Sequence, residues 1–288
     1  MIVDTLALVG TGLIGGSFAL ALKQAGAVRQ VLGVGRNPDR LARAQQCGLI
    51  DRAVDWAEAG QADCILLALP VGETEAVLRQ LVPHLKPGAI VTDAGSTKLN
   101  VVDAARAVLG VRVADFVPGH PIAGSEQSGP DAARADLYRG KKIVLTPLTE
   151  TRADALETVK ALWQAIGAQV ETLDAAQHDR VFAAVSHLPH LAAFALVDEL
   201  AQRADGDTYF RLAASGFRDF TRIAGSSPEM WRDIALANKA PLLAELDAYL
   251  LALQTLRAAV STEDAAALLN MFSRARTARE NWMKSKDA

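Results

Sequence analysis

The stretch Leu6-Ala7-Leu8-Val9-Gly10-Thr11-Gly12-Leu13-Ile14-Gly15-Gly16-Ser17 decides the fold of this chain. Four apolar residues, typical of a buried strand, run into a G-x-G-x-x-G pattern, and a helix is predicted to follow to about residue 25. In such a pattern the first glycine permits a tight turn, the second lets the backbone approach a pyrophosphate, and the third lets the helix pack on the strand. The N–H groups and the positive dipole end of the helix then face the phosphates. A glycine-rich turn without a ligand is the alternative. We predict a dinucleotide site whose first part is formed by Gly10, Gly12, Leu13, Ile14 and Gly15.

Composition limits the class of protein. The 288 residues are enough for about two domains, and half of them are hydrophobic, so a large core is expected. The net charge of −3 and the lack of a basic stripe predict no nucleic-acid partner. Cys47 and Cys64 do not form a C-x-x-C pair, and no continuous apolar run reaches the ~18 residues of a membrane span. The first strand begins close to Met1, which leaves no room for a signal peptide. We therefore expect a soluble cytoplasmic protein without a membrane partner.

Strands and helices alternate as far as residue 173. The later strands are predicted at residues 30–34, 64–69, 89–93, 113–117, 142–146 and 169–173. This alternation predicts an α/β fold with a doubly wound, mostly parallel sheet, the Rossmann architecture. No convincing strand follows. We therefore predict a dinucleotide-binding domain over residues 1–173 and an all-helical domain for substrate binding and dimerisation over residues 174–288.

The end of the second strand bears on the choice of cofactor. NAD-binding folds of this type place an acidic residue there, which accepts from the ribose 2′-hydroxyl. This chain has Gly35 at that position, followed by Arg36. A small residue followed by a bidentate donor suits a 2′-phosphate, so NADP is predicted to be preferred, with NAD possible. In the alternative, Arg36 is a surface residue and Asp39 reaches back to the ribose. The remaining predicted cofactor residues, at this strand end and at the next one, are Asn37, Leu69 and Pro70.

Two further polar stretches follow strands of the predicted sheet, where ligands of open α/β sheets bind. Ser96 lies in the first, Asp93-Ala94-Gly95-Ser96-Thr97-Lys98. His120 and Glu126 lie in the second, with His120 predicted in a loop between a glycine and a proline. The simpler readings are a helix N-cap for Ser96, a surface loop for His120 and a solvated charge for Glu126.

The helical part adds polar candidates. His187 and His190 are three residues apart, on one face of a helix that Pro189 should bend. A zinc pair is disfavoured, because no cysteine or acid lies at metal-like spacing, and no metal site is predicted. Arg218 and Arg222 are four residues apart on a helix and could receive a carboxylate, unless they serve only solubility.

Five motifs together resemble the prephenate/arogenate (cyclohexadienyl) dehydrogenases of tyrosine biosynthesis, from the first strand to about residue 233. They are Gly12-Leu13-Ile14-Gly15-Gly16-Ser17, the Asp93–Lys98 stretch, Gly119-His120-Pro121-Ile122-Ala123-Gly124, Ser186-His187-Leu188-Pro189-His190 and Phe220-Thr221-Arg222-Ile223-Ala224. The resemblance implies a Rossmann domain, a helical dimerisation domain and NAD(P)-dependent oxidative decarboxylation of a cyclohexadienol.

The resemblance also implies roles for residues. It makes His120 the catalytic histidine, Ser96 its neighbour at the substrate and the nicotinamide, and Arg222 the receiver of a substrate carboxylate. His190, Glu126 and Trp231 match pocket positions, and Arg218 and His187 remain further candidates for substrate binding. Neither the residues nor the resemblance separates prephenate from arogenate as substrate.

Three other expectations follow. The helices predicted at residues 241–260 and 262–284 are rich in Leu and Ala, which predicts a homodimer; packing on the chain's own first domain is the alternative. A β-hydroxyacid dehydrogenase is a second functional reading, and Lys239 would be its lysine. A dinucleotide sensor without catalysis is a third reading, but it would not need His120 beside Ser96.

Overall fold

The computed structural model describes residues 1–125 and 127–287. The chain divides into two compact units, residues 1–239 and residues 240–288. The first unit contains both sheets and most of the helices. The second consists of one helical hairpin.

A six-stranded parallel sheet forms the centre of the first unit, in the order β3-β2-β1-β4-β5-β6. Val9 lies opposite both Val34 and Leu67, and Leu67 lies opposite Asp93, so four strands end at one edge. The strand order reverses between β1 and β4, which opens a crevice at that edge. This confirms the predicted Rossmann fold. The strands are β1 (Val3–Val9), β2 (Val28–Val34), β3 (Arg52–Ala53), β4 (Cys64–Leu67), β5 (Ile90–Asp93) and β6 (Phe116–Val117).

Helices cover both faces of this sheet, and two apolar clusters fill the space beneath them. All residues of β4, β5 and β6 are therefore buried, whereas both residues of the edge strand β3 are exposed. The second helix begins as its sequence predicts, with Pro38 in the first turn and the Asn37 side chain accepting from the Arg40 N–H. The helices are α1 (Leu13–Gln24), α2 (Pro38–Gln46), α3 (Trp56–Ala59), α4 (Thr74–Leu81), α5 (Leu99–Leu109) and α6 (Ala153–Ala165).

A second sheet of three strands begins immediately after β6. It contains β7 (Gly119–Pro121), β8 (Lys142–Leu145) and β9 (Gln169–Thr172), with β7 antiparallel and β9 parallel to β8. Pro118, which has no N–H to donate, separates β6 from β7. The last two predicted strands therefore belong to this small sheet and not to the parallel one. His120 lies at the middle of β7, paired with Val144, and not in a loop as predicted.

The rest of the first unit is helical, and the structure describes no strand from residue 173 to residue 287. The long helix predicted around Pro189 is present, but a π-helical turn, Ala183–His187, widens it immediately before the proline. The stretch Ala175–Ala201 is long and apolar enough to cross a membrane by length and composition alone. The helices here are α7 (Ala175–Phe182), α8 (Leu188–Ala201), α9 (Gly206–Leu212), α10 (Ser215–Thr221) and α11 (Pro228–Ala237), with a 3₁₀ turn at Arg222–Gly225.

The second unit is formed by α12 (Lys239–Ser261) and α13 (Ala265–Asp287). The Asp264 side chain accepts from the Ala267 N–H and caps α13. Both helices expose large apolar side chains, including those of Leu250, Leu251, Leu269, Phe272 and Trp282.

Candidate active site

The glycine turn after β1 is built as the sequence predicts. Gly10 has a φ of +97°, and a Cβ atom there would lie 2.1 Å from the Ala68 carbonyl oxygen. A Cβ atom on Gly15 would lie 2.3 Å from the Gly10 carbonyl oxygen. A Cβ atom on Gly12, in contrast, would meet nothing within 4 Å. Gly10 and Gly15 thus allow the turn and the close helix packing, whereas the open side of Gly12 leaves room for a ligand.

The start of α1 suits a phosphate group. In the described structure this helix has neither a side-chain cap nor an acidic residue in its first turn. The backbone N–H groups of Leu13 and Ile14 belong to the first turn, where no intrahelical acceptor exists. An anion bound at this end would receive those N–H groups and the positive end of the helix dipole.

A cleft of about 430 Å³ lies along the carboxyl ends of β1, β2 and β4. The Arg36 guanidinium, on its wall, donates to both oxygens of Glu73 at 2.6 and 2.7 Å. Asp39, the alternative ribose partner, does not line the cleft. The predicted cofactor residues that do line it are Gly10, Gly12, Gly35, Arg36, Asn37, Leu69 and Pro70.

His120 belongs to a buried chain of polar side chains. Its Nδ1 atom lies 2.8 Å from Nε2 of His178, whose Nδ1 atom lies 2.8 Å from Oδ1 of Asp179. The Phe182 ring packs on both imidazoles, with centroid distances of 4.8 and 4.5 Å. The sequence analysis missed His178 and Asp179. The available signal was a histidine–acid pair, four and five residues after the Asp174 N-cap of α7.

Backbone and side-chain contacts fix this chain to the sheet edge. The Asp179 carboxylate accepts the N–H groups of Lys98 and Leu99 at the start of α5, at 2.8 and 2.9 Å. The Lys98 ammonium group donates to the Gly119 carbonyl, next to His120, at 2.7 Å. The contacts therefore join the end of β5, the start of α5, β7 and α7 around one imidazole.

Burial decides the charge of these groups. It lowers the pKa of His120 well below the usual value, and the positive charges of His178 and Lys98 would act in the same direction. Burial alone would raise the pKa of Asp179, but hydrogen bonds from His178 and two backbone N–H groups hold it below its ordinary value. A neutral His120 and an ionised Asp179 result, which is the state in which the histidine can accept a proton.

Ser96 lies half-buried in the turn between β5 and α5. The N-cap of α5 is Lys98, so the reading of Ser96 as the cap of this helix is wrong. The Ser96 backbone lies close enough to His187 to raise the pKa of its imidazole. Burial has the larger effect and lowers that pKa to about 4. The structure thus brings the Ser96 turn to the π-helical turn.

His187, His190 and Trp231 form a second group of rings. His190 stacks on Trp231 with centroids 3.7 Å apart, and the His187 centroid lies 6.0 Å from that of Trp231. His190 donates from Nδ1 to the Ser186 carbonyl at 2.8 Å, which leaves its Nε2 atom as an acceptor. The buried Trp231 indole N–H has no hydrogen-bond acceptor among the described residues. The side-chain amide of Asn238, at 3.0 Å, links His187 to the Asp179 backbone carbonyl.

The two predicted arginines differ in position. Arg222 starts the 3₁₀ turn after α10, and its charge adds to burial in lowering the pKa of His190. Arg218 is 80% exposed, and among the described residues it forms a long ion pair, of 3.8 Å, with Asp219. The structure therefore brings Arg222, and not Arg218, to the group of rings. Glu126 lies outside the described residues, which contain no group of three or more metal-binding side chains.

Comparisons with known proteins show the family of this chain. Residues 18–172 match the family model of the prephenate dehydrogenase nucleotide-binding domain, and residues 174–274 match that of the prephenate dehydrogenase dimerization domain. Prephenate dehydrogenase of Bacillus subtilis is 38% identical over 281 residues, which cover 96% of this chain and 76% of that protein.

Two crystal structures are also similar. Prephenate dehydrogenase from Aquifex aeolicus, in complex with hydroxyphenyl propionate and NAD+, superposes with a TM-score of 0.91 at 36% identity, covering 96% of this chain and 98% of that one. Synechocystis arogenate dehydrogenase superposes with a TM-score of 0.81 at 32% identity, covering 96% and 99%. A β-hydroxyacid dehydrogenase is not favoured, and its required lysine, Lys239, is exposed. The chain belongs to the prephenate dehydrogenase family and is an NAD(P)-dependent oxidoreductase.

Proposed function

We propose that this protein oxidises and decarboxylates prephenate, arogenate or both, giving 4-hydroxyphenylpyruvate or tyrosine. The observation that carries the proposal is the buried His120, which contacts through Gly119 hold beside the carboxyl end of β5, at the edge of the parallel sheet where the glycine turn also lies. The similar proteins named as prephenate and arogenate dehydrogenases support this substrate class and leave the choice between the two open.

The reaction needs a group that handles one proton in a dry site. The substrate ring carries a hydroxyl at C4 and a carboxylate at C1, and the bound nicotinamide supplies the hydride acceptor for C4. His120 Nε2 accepts the hydroxyl proton as the C4 carbonyl forms. Carbon dioxide then leaves C1, its bonding electrons restore the aromatic ring, and the proton returns to the phenolate oxygen. The low pKa of His120 keeps Nε2 ready to accept at neutral pH.

The proposal also assigns substrate contacts to residues of the pocket. Arg222 pairs with a substrate carboxylate, because an unpaired charge in a closed cleft would cost several kcal/mol. The Trp231 indole N–H and the His190 Nε2 atom offer one donor and one acceptor beside it. Ser96 lies next to the substrate hydroxyl and the nicotinamide. We assign cofactor binding to residues 1–173, and substrate binding and dimerisation to residues 174–288.

NADP is the cofactor that we propose to be preferred. Gly35 puts no carboxylate at the end of β2, and Arg36 lines the cleft beside it. A 2′-phosphate would receive the two N–H groups of the guanidinium that now face Glu73. Glu73 must then release Arg36 or share it, so this carboxylate limits the preference for NADP.

A homodimer in the cytoplasm completes the proposal. The match of residues 174–274 to a dimerization domain supports it, as do the large apolar side chains that α12 and α13 expose. Light scattering at micromolar concentration should give twice the 30.5 kDa of one chain. A mass near 30.5 kDa would contradict the dimer.

The test of function is the formation of NAD(P)H with three substrates, namely prephenate, arogenate and a 3-hydroxy acid. We expect turnover of one or both cyclohexadienols and none of the hydroxy acid. His120→Asn should lower kcat by ~10²–10⁴-fold and leave cofactor affinity near normal. A His120→Asn enzyme with more than half of the wild-type kcat would remove this histidine from the mechanism.

A further inference from the structure

We propose that His178 and Asp179 are positioning residues that keep the proton of neutral His120 on Nδ1, so that Nε2 is free to accept the substrate proton. The proposal rests on the proposed function, because it takes His120 as the base. It concerns two side chains that lie one step behind the ring and that no sequence motif indicated.

The hydrogen bonds leave one arrangement of protons. A carboxylate only accepts, so the contact between Asp179 Oδ1 and His178 Nδ1 requires a proton on that nitrogen. The Nε2 atom of neutral His178 is then a lone-pair acceptor. It faces His120 Nδ1 at 2.8 Å, so that atom must carry the proton of its ring. His120 Nε2 is left unprotonated.

The Asp179 carboxylate, at the far end of these hydrogen bonds from His120, is itself held in place. Asp179 is 1% exposed, and its two oxygens accept the N–H groups of Lys98 and Leu99. Two backbone donors at the start of a helix hold it ionised and set its orientation. The Asn238 amide donates to the Asp179 backbone carbonyl, and Phe182 packs on both imidazoles. Neither the acid nor His178 can turn without breaking several contacts.

A structural role alone explains this arrangement poorly. A buried ion pair or charged hydrogen-bond chain is often no more stable than apolar side chains of similar volume. His178 is fully buried against the Phe182 ring, where an apolar side chain of similar volume would pack without the desolvation cost of an imidazole. We therefore infer that His178 and Asp179 serve to control which nitrogen of His120 carries the proton.

The hydrogen-bonded side chains of His120, His178 and Asp179 also affect the charge that develops during the proton transfer. When the substrate O–H bond breaks and a bond forms at Nε2, His120 becomes positive, and the proton on Nδ1 stays in its bond to His178. The charged or titratable groups that act on His120 are His178, Lys98 and His187. Those that act on His178 also include Asp93 and Asp179. Through its hydrogen bond to His178, Asp179 therefore favours positive charge on this pair of rings.

The first test removes the charge at constant size. We expect Asp179→Asn to lower kcat by about 10²-fold or more, with KM and cofactor Kd within about threefold of wild type. The acid limb of the kcat profile should move to lower pH, because the imidazolium loses its stabilising carboxylate. A purely structural loss would lower kcat equally at every pH and leave the limb in place.

The second test replaces His178 with a side chain that can, or cannot, accept the proton on His120 Nδ1. In His178→Gln the amide oxygen can still accept the His120 proton, so we expect a loss of about tenfold. His178→Phe keeps the packing against Phe182 but offers no acceptor, so we expect a loss of about 10³-fold. If His178 controls the tautomer of His120, the kcat of His178→Gln should be higher than that of His178→Phe.

The third test reads the tautomer directly. Nitrogen-15 NMR of the five histidines in the full-length enzyme should show His120 protonated on Nδ1 in the wild type and a mixture of tautomers in His178→Phe. His84→Gln, in the 3₁₀ turn that follows α4, identifies one of the other signals without touching the site. A wild-type His120 protonated on Nε2 would overturn the proposal, whatever the variants do and even if none of them folds.

The two hypotheses fail in different ways. If His120→Asn destroys activity while Asp179→Asn and His178→Phe keep more than half of the wild-type kcat, the positioning role is wrong and the base remains. If His120→Asn itself remains active, the proposed function loses its base and the positioning role falls with it.

Discussion

The Lys98 ammonium group lies 2.5 Å from the Asp93 carboxylate, and neither side chain is more than 3% exposed. The carboxylate also accepts the backbone N–H groups of Gly95 and Gly119, and the ammonium group donates to the Gly119 carbonyl. One buried ion pair therefore attaches the strand that carries His120 to the end of the parallel sheet.

Lys98→Met should destabilise the protein strongly. The variant leaves the Asp93 carboxylate buried without its cation, so we expect urea unfolding to show a loss of about 3–5 kcal/mol. The double variant Lys98→Met/Asp93→Asn removes the stranded charge and should regain part of that loss. A double variant less stable than Lys98→Met alone would mean that the charge is not what matters.

Substitutions of two glycines in the turn after β1 should separate folding from cofactor binding. In Gly15→Ala the new methyl group would meet the Gly10 carbonyl, so we expect a loss of about 1–3 kcal/mol in unfolding free energy. In Gly12→Ala the methyl group meets nothing in the protein, so stability should stay near wild type while the KM for the cofactor rises. Equal effects of the two substitutions on either quantity would contradict this division.

The ion pair between Arg36 and Glu73 should set the cofactor preference. Arg36→Ala is expected to raise the KM for NADP much more than that for NAD, because only NADP brings a phosphate to the guanidinium. Glu73→Gln frees the guanidinium and should shift kcat/KM further toward NADP. A wild-type enzyme that prefers NAD, or uses both equally, would show that Arg36 does not read the phosphate.

The cofactor half of the site was predictable from the sequence because its geometry is local. Gly10, Gly12 and Gly15 lie within six residues of one another, and the backbone of a single turn decides what each must do. The parallel sheet was predictable for a similar reason, since buried strands on both faces give continuous apolar runs. The small sheet was not, because it depends on Pro118 ending one ladder and on pairing between distant segments.

The catalytic half was only partly predictable. His120, Ser96 and Arg222 were indicated by motifs, whereas His178 and Asp179 lie 58 and 59 positions beyond His120, in a helix without a motif. Their proposed role depends on a hydrogen bond between a strand of the small sheet and α7, which spacing along the chain does not encode. The π-helical turn at Ala183–His187 is a further feature that Pro189 suggested only as a bend.

Acid should unfold this protein through its buried histidines. Burial lowers the pKa of His187 to about 4, whereas the unfolded chain keeps a value near 6.5. Between these values the unfolded chain binds the proton and the folded one does not, so the contribution of this residue to stability is complete above pH 6.5 and is lost as the pH falls toward 4. The loss amounts to about 3 kcal/mol for a fully buried ring. His120, His178 and His190 act in the same direction.

The variant His187→Gln tests this contribution. Its amide oxygen can still accept from Asn238, but the side chain no longer titrates. We expect urea unfolding at pH 7 and at pH 4.5 to differ by about 2–3 kcal/mol less in the variant than in the wild type. The remaining histidines and carboxylates titrate equally in both proteins and cancel in this comparison. If the two proteins lose the same stability over this interval, His187 is protonated in the folded state and its burial does not control its charge.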